Sequence, residues 1–162
     1  MHYGKIESCS VSSGPGCRVT LFVSGCTHMC KNCFQPETWC FTYGEEFTEE
    51  TMAVLLKLAE PSYISGLSLM GGDPAHPQNR PEVLRLARRF KKAYPEKSIW
   101  LWTGYLIEDI FEDLVDSGID VIVDGRFVEE LKDLRLKYRG SSNQRVIDLK
   151  ETIRTGDRTL IE

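Results

Sequence analysis

The residues best suited to chemistry are three cysteines that lie close together near the start of the chain. Cys26, Cys30 and Cys33 follow a C-x3-C-x2-C spacing. Three thiolates in so short a run can ligate three irons of a cubane iron–sulfur cluster and leave the fourth iron without a protein ligand. The spacing therefore predicts a [4Fe-4S] cluster with one iron open to a small molecule.

The same cysteines allow a simpler interpretation, a structural zinc site. Such a site usually has four nitrogen or sulfur ligands, so it would have to recruit His28, Cys40 or Cys9. A ferredoxin-type electron carrier fits less well, because its runs have other spacings and a fourth cysteine. We expect Cys9, Cys17 and Cys40 not to bind the cluster, since they lie outside the compact run. In a reducing cytosol their thiols would stay free.

The composition limits the kinds of protein that can carry this motif. The 162 residues predict a single domain over 1–162, and 41% hydrophobic with 27% charged residues is typical of a folded globular protein. A net charge of −4 argues against sequence-independent nucleic-acid binding. The apolar stretches have the length of strands, and the first ten residues lack the features of a signal peptide. We therefore expect a cytoplasmic protein without a membrane span.

Strand and helix patterns alternate along the chain after the cysteine run. Apolar periodicity predicts strands near 19–23, 64–69, 98–102, 119–123 and 145–149. Capping residues, prolines and helical spacing predict helices over 48–61, 81–95 and 107–118. The alternation predicts an α/β fold, with an open parallel sheet or a partial (β/α) barrel of about five to six strands.

Four unusual segments each follow the end of a predicted strand. They are GCTHMCKNC at 25–33, GGDP at 71–74, TGY at 103–105 and DGR at 124–126. Ligands gather at this edge in parallel α/β folds, so the four segments are expected to face one site. In GGDP, the missing side chains of Gly71 and Gly72 let the backbone approach a ligand, although a plain turn is the alternative.

Taken together, these motifs resemble the radical S-adenosylmethionine (SAM) enzymes, whose cluster motif is C-x3-C-x2-C. The resemblance is narrower to the activating proteins of glycyl radical enzymes, and within them to the activases of anaerobic ribonucleoside-triphosphate reductases. It rests on GPGCRVTLFVSGCTHMCKNC at 14–33, PETW at 36–39, LMGGDP at 69–74, TGY at 103–105, VDGRF at 123–127 and RGSSNQR at 139–145. One departure is Asn32, where many radical SAM enzymes carry an aromatic residue.

The resemblance implies a fold of radical SAM type and an oxidoreductase with two cofactors, a [4Fe-4S] cluster and SAM. In this family the reduced cluster passes one electron to the sulfonium of SAM, and a carbon–sulfur bond breaks. Methionine and a 5′-deoxyadenosyl radical result, and the radical takes hydrogen from a glycine Cα. The implied protein substrate is an anaerobic ribonucleoside-triphosphate reductase. The basic run 88–92 could dock a flavodoxin-type electron donor, although it also suits the wet face of a helix.

The resemblance also implies two groups of SAM contacts. The glycine turn is expected to hold the amino group of SAM, through Gly71, Gly72 and Asp73. The cluster loop, which is the segment 25–34 that carries the three cysteines, is expected to contact the adenine, largely through backbone atoms, at Asn32, Cys33 and Phe34.

Several alternatives stay open at this point. The partner could be another glycyl radical enzyme such as pyruvate formate-lyase, or the protein could be a zinc-binding interaction domain without turnover. The segments 103–105, 124–126 and 142–144 could line the site or could be ordinary turns. A loop histidine is more often a hydrogen-bonding side chain than a ligand, so His28 is given no role.

Overall fold

The computed structural model of the protein describes residues 1–161 and is built on one mixed β-sheet. Its strands are β1 (His2–Ser10), β2 (Cys17–Val23), β3 (Glu45–Glu46), β4 (Ile64–Gly71), β5 (Ser98–Trp102), β6 (Val121–Asp124), β7 (Arg145–Asp148) and β8 (Thr159–Leu160). Its helices are α1 (Glu49–Leu58), α2 (Arg80–Ala93), α3 (Ile107–Leu114) and α4 (Leu149–Thr155), with short 3-10 turns at Pro36–Trp39 and Glu129–Leu131.

The strand order is β3-β1-β2-β4-β5-β6-β7-β8, and only the middle of the sheet is parallel. Strands β2, β4, β5 and β6 pair in parallel, whereas β1 pairs antiparallel with both β2 and β3, and β7 pairs antiparallel with both β6 and β8. The α/β class and all five predicted strands are confirmed. The expectation of a parallel sheet with five to six strands is wrong, and the radical SAM barrel stays a prediction.

The differences have local causes. The residues of β1 are mostly polar or half-exposed, so the strand lacks the apolar alternation that identifies the central strands. β7 returns antiparallel because the chain between β6 and β7 carries only a 3-10 turn and no α-helix to cross the sheet. Helix α4 follows β7 without a loop: Asp148 caps it by accepting from the Glu151 N–H at 2.8 Å, and Gly156 ends it with a φ of 79°.

The three predicted helices occur, with α3 ending four residues early at Leu114. Helix α1 begins with a reciprocal cap, in which the Thr48 hydroxyl accepts from the Thr51 N–H at 3.3 Å and the Thr51 hydroxyl accepts from the Thr48 N–H at 3.2 Å. Within residues 1–161, none of the helices has the length and apolar character that crossing a membrane requires.

All four helices pack on one face of the sheet. The main core joins their buried residues to alternate positions of the central strands, namely Val19, Leu21, Leu67, Leu69, Ile99, Leu101 and Ile122. The opposite face carries a smaller cluster around Trp100 and Val123, and near the carboxyl ends of the strands it borders a cleft. The sheet therefore has one face for the core and one face for the site.

Cys9 and Cys17 form a disulfide between β1 and the start of β2, with their Cα atoms 5.4 Å apart. The expectation that both thiols stay free is wrong for this structure. The antiparallel pairing of β1 with β2, which the sequence patterns did not indicate, brings the two residues together.

Candidate functional site

The four segments that follow the parallel strands meet at one cleft of about 710 Å³. From these segments, the residues that line it are Cys26, His28, Cys30, Cys33, Gly71, Gly72, Asp73, Thr103, Gly104 and Gly125. The expectation that these segments share one site is confirmed. A volume of this size is typical of sites for ligands of small or intermediate size.

The three cysteines of the compact run lie half-buried in the wall of the cleft. Two left-handed residues bend the loop, Met29 with a φ of 51° and Asn32 with a φ of 56°, and each directly precedes a cysteine. Asparagine adopts this conformation more readily than an aromatic residue does, which gives a backbone reason for the departure at position 32. Burial raises the pKa of Cys26 to about 11 and also raises the pKa of Cys30.

The donor set fits an iron–sulfur cluster, because three thiol sulfurs share one cleft. The outer cysteines offer no fourth sulfur there. Cys9 and Cys17 are joined to each other, and Cys40 is exposed with its sulfur 3.4 Å from the Thr42 hydroxyl. That hydrogen bond lowers the pKa of Cys40.

A zinc site would need a different set of ligand residues from the same wall of the cleft. Potential ligand atoms of Cys26, His28 and Asp73 all lie within 4.8 Å of one another. However, His28 and Asp73 are hydrogen-bonded to each other, with 2.7 Å between Nε2 and Oδ2. Two ligands of such a site would have to give up this bond.

Asp73 joins three of the four segments through its carboxylate. Oδ1 accepts from the Ala75 N–H at 2.9 Å and the Thr103 hydroxyl at 2.7 Å. Oδ2 accepts from the Gly104 N–H at 3.0 Å and from His28. The Asp73 side chain is only 1% exposed.

The glycine turn is closely packed against the cluster loop. The Gly72 N–H donates to the Val23 carbonyl at 2.7 Å, and the Asp73 N–H donates to the Gly25 carbonyl at 2.9 Å. A Cβ on Gly72 would lie 2.7 Å from the Gly25 oxygen and 2.8 Å from the Thr38 oxygen. The absence of a side chain at Gly72 therefore serves packing within the protein, because any larger residue there would displace the loop.

The structure places five of the six predicted SAM contacts in the lining of the cleft, and Asn32 is the exception. Phe34 lies at its rim, 72% exposed, with its ring centroid 5.9 Å from that of Phe127 and the Lys132 ammonium 5.5 Å from it. The assignment of these six residues to SAM stays a prediction.

The sequence patterns did not indicate the floor and most of one wall of the cleft. The floor consists of Phe22, Met70 and Trp102, which point away from the core on three neighbouring strands. The wall comes from the chain between β6 and β7, at Leu134, Leu136, Tyr138, Arg139 and Gly140, and at Gln144, which belongs to the segment 142–144 that could line the site or be an ordinary turn. Strand alternation could have identified the floor, because the intervening residues of each strand are core residues.

Comparisons with known proteins agree with this donor set. Residues 12–147 match a family model described as 4Fe-4S single cluster domain. The chain is 47% identical over 146 residues to the anaerobic ribonucleoside-triphosphate reductase-activating protein of Enterobacteria phage T4, which covers 90% of this chain and 93% of the relative. It is 43% identical over 154 residues to the protein of that name from Escherichia coli strain K12, covering 93% of this chain and 100% of the relative.

The family model and the cysteine wall together define a 4Fe-4S cluster protein. The chain belongs to the family of anaerobic ribonucleoside-triphosphate reductase-activating proteins. The resemblance drawn from the sequence motifs to this family is thereby confirmed.

Proposed function

We propose that this protein activates an anaerobic ribonucleoside-triphosphate reductase by generating a glycyl radical on it, through reductive cleavage of SAM at a [4Fe-4S] cluster. The observation that carries the proposal is the meeting of Cys26, Cys30 and Cys33 with the glycine turn in one cleft. The partner is supported by the names of the relatives, which are described as activating proteins of that reductase.

Cys26, Cys30 and Cys33 would hold three irons of the cluster. Each thiol must lose its proton when it binds iron, and burial, which raises the pKa of Cys26 to about 11, makes that loss more costly for this thiol. When bound, the cluster and SAM supply one-electron cleavage of the sulfonium and removal of a hydrogen atom from a glycine of the partner.

The chain contributes contacts, orientation and exclusion of water. We propose that Gly71 and Gly72 lie beside the amino group of SAM, and that the cluster loop contacts its adenine at Asn32, Cys33 and Phe34. The apolar floor of Phe22, Met70 and Trp102 would keep water from the reacting atoms. The Asp73 carboxylate already accepts four hydrogen bonds from the protein.

The rim of the cleft suits a protein substrate. Phe34 and Leu134 are large apolar side chains that are 72% and 87% exposed, and both line the cleft. Exposed apolar residues beside a site are typical of protein-binding surfaces. A loop of the reductase that carries the target glycine would pass between them.

A flavodoxin-type protein remains the proposed electron donor, but the basic run 88–92 gives it little support. Arg89 contacts Glu49 at 2.6 Å, Lys91 contacts Asp120 at 2.7 Å, and the Arg88 Nε donates to the Asp116 carbonyl at 3.1 Å. The run lies on α2, whose core face packs on the side of the sheet away from the cleft. A cytoplasmic location likewise stays a prediction.

The test is anaerobic reconstitution with iron and sulfide, followed by reductant, SAM and the reductase from the same organism. We expect a brown protein absorbing near ~400 nm, as thiolate-ligated clusters do. We also expect 5′-deoxyadenosine, a glycine-centred radical on the reductase and ribonucleotide reduction, all appearing together.

Two outcomes would contradict the proposal in different ways. A colourless protein with stoichiometric zinc would favour the zinc-binding domain, for which the proximity of Cys26, His28 and Asp73 is the supporting observation. A radical that forms on pyruvate formate-lyase and not on the reductase would change the substrate and leave the chemistry in place.

A further inference from the structure

The geometry points to His28 and Asp73 as a pair of positioning residues that hold the cluster loop against the glycine turn and the TGY turn. In this assignment Asp73 acts through its hydrogen bonds and does not contact SAM directly. The assignment rests on the proposed function for the identity of the bound groups. The network itself consists only of residues of this chain.

The Asp73 carboxylate is saturated with hydrogen bonds from the protein. A carboxylate offers about four acceptor positions. Here two donors reach Oδ1 and two reach Oδ2, at 2.7 to 3.0 Å. A SAM ammonium could bind this side chain only by displacing a donor that already ties Asp73 to another segment.

The hydrogen bonds at His28 run in one direction, from Arg126 through the ring to Asp73. The Arg126 Nε donates to His28 Nδ1 at 3.0 Å, so Nδ1 is an acceptor and a neutral ring carries its proton on Nε2. That proton points at Asp73 Oδ2, 2.7 Å away. Arg126 belongs to the DGR segment, so all four segments are joined through Asp73 and His28.

The His28 ring is closely surrounded by its neighbours. The side chain is 8% exposed, and its centroid lies 4.7 Å from that of Tyr105 in an edge-on arrangement. A Cβ on Gly104 would lie 2.4 Å from His28 Cδ2. The TGY turn therefore needs its glycine because the histidine ring occupies the space beside it.

His28 is a buried contact of the cluster loop and lies between the first two cysteines. Among the described residues the loop has a second ion pair, after Cys30, in which Lys31 contacts Glu130 at 3.3 Å and the two side chains are 72% and 67% exposed. Exposed pairs of this kind contribute little to stability. A loop fixed by a buried hydrogen bond keeps Cys26 and Cys30 in place, as partners of metal ligands do in other proteins.

The test compares His28→Ala, His28→Gln and a control variant in the reconstituted protein. We expect His28→Ala to lose iron to a chelator about 10-fold to 100-fold faster. It should also need at least ~10-fold more SAM to change the electron paramagnetic resonance of the reduced cluster. Glutamine can present an amide N–H near the position of Nε2, so His28→Gln should recover most of both properties.

His76→Gln is the matched control. His76 also packs near Tyr105, with centroids 6.5 Å apart, but its Nδ1 accepts from the Gln78 N–H within its own loop. We expect this variant to match the unmodified protein in both measurements. Hydrogen exchange at the Gly104 amide, which donates to Asp73, should quicken in His28→Ala and stay unchanged in the control.

Asp73→Asn distinguishes positioning from direct contact. If Asp73 positions the loop, this variant loses iron faster and also responds less to SAM. If it retains iron normally and loses only the SAM response, Asp73 is a SAM contact and the inference is wrong. Normal behaviour of His28→Ala in both measurements would also overturn it.

Should His28→Ala fail to fold, Arg126→Ala provides the same test from the exposed end of the network. It removes the donor to Nδ1 and should give a smaller shift in both measurements, whereas no shift would count against the inference. Loss of the cluster or of the SAM response in the unmodified protein would instead contradict the proposed function.

Discussion

Two buried charges stand at opposite ends of the parallel strands, and their partners differ in kind. Arg18 lies near the amino ends and is fully buried. Its five N–H groups reach the oxygens of Ser68, Pro15, Leu67 and Ser98, all hydroxyl or carbonyl, at 2.8 to 3.3 Å. Asp73 lies at the carboxyl ends and is equally buried, but its partners come from the turns and loops around the cleft.

A buried charged side chain with several hydrogen bonds can fix either the framework of the fold or the arrangement of a site. Arg18 joins β2, β4, β5 and the loop before β2, so its hydrogen bonds fix the framework. Burial lowers its pKa to about 10, and it stays charged at neutral pH. Asp73 joins segments that carry the cysteines and the glycine turns. A change at Arg18 should therefore reduce stability, and a change at Asp73 should alter the site.

The largest effect is expected when a cysteine of the cleft, Cys33, is replaced and compared with Cys17 at the amino end of β2. Cys33→Ala should abolish stable cluster binding and all activation of the reductase, because it removes one of three thiolates. Cys17→Ala should keep the cluster and lower the free energy of unfolding by about 2–4 kcal/mol, because it removes a disulfide. Iron analysis and denaturant unfolding would measure both. Cluster loss in Cys17→Ala with retention in Cys33→Ala would reverse the assignment.

The next effect concerns the framework charge. Arg18→Met keeps an apolar stem but takes the donors away from the Leu67, Pro15 and Ser98 carbonyls. Removing the charge avoids the free-energy cost of burying it. The buried acceptors left without donors cost more, however, so we expect the free energy of unfolding to fall by about 3 kcal/mol. Unfolding curves and iron content per folded protein would be measured. If Arg18→Met were as stable as the unmodified protein but responded differently to SAM, Arg18 would act on the site as Asp73 does, and the proposed difference between the two charges would be wrong.

A smaller effect is expected at the rim of the cleft. Leu134→Asp should reduce activation of the reductase about 10-fold, since an apolar contact residue contributes roughly 1–2 kcal/mol to binding. Iron content and the SAM response should not change. Leu160→Asp on β8, where the leucine is 52% exposed, is the matched control and should activate normally. Equal loss in both variants would argue against a docking role for the rim.

The smallest effect lies away from both charges, at Glu108. Its contact with Arg145, helped by Arg158, lowers the pKa of Glu108 from its usual 4.5 to about 2. The stabilisation is therefore present above pH 4.5 and is lost as the pH falls from there through about 2. Because the side chain is 51% exposed, Glu108→Gln should cost only about 0.5–1 kcal/mol at pH 7.

The measurement is denaturant unfolding of protein prepared without iron, at pH 7 and pH 3. The difference in the free energy of unfolding between Glu108→Gln and the unmodified protein should be smaller at pH 3 than at pH 7. A difference that stays constant with pH would show that the carboxylate charge is not the cause.

Sequence patterns could predict the parts of this molecule that depend on local spacing. The central strands follow from apolar alternation and α1 from the Thr48 cap. The meeting of the three closely spaced cysteines with the glycine turn follows from their positions at strand ends, and their role as cluster ligands stays a prediction. The Asp73 network could not be predicted, because its donors lie 45 and 30 residues away along the chain. Neither could the disulfide, since it depends on how β1 pairs with β2.

The division of the sheet into a core face and a site face limits where the chain can gain or lose residues. In the carboxyl-terminal parts of β2, β4 and β5 the odd-numbered Leu21, Leu69 and Leu101 face the core, and the even-numbered Phe22, Met70 and Trp102 form the floor of the cleft. A deletion of one residue within any of these strands would exchange the two sets, since side chains alternate with a period of two. Point substitutions can therefore reshape the floor while the core stays intact, whereas length changes should be confined to the connections between strands.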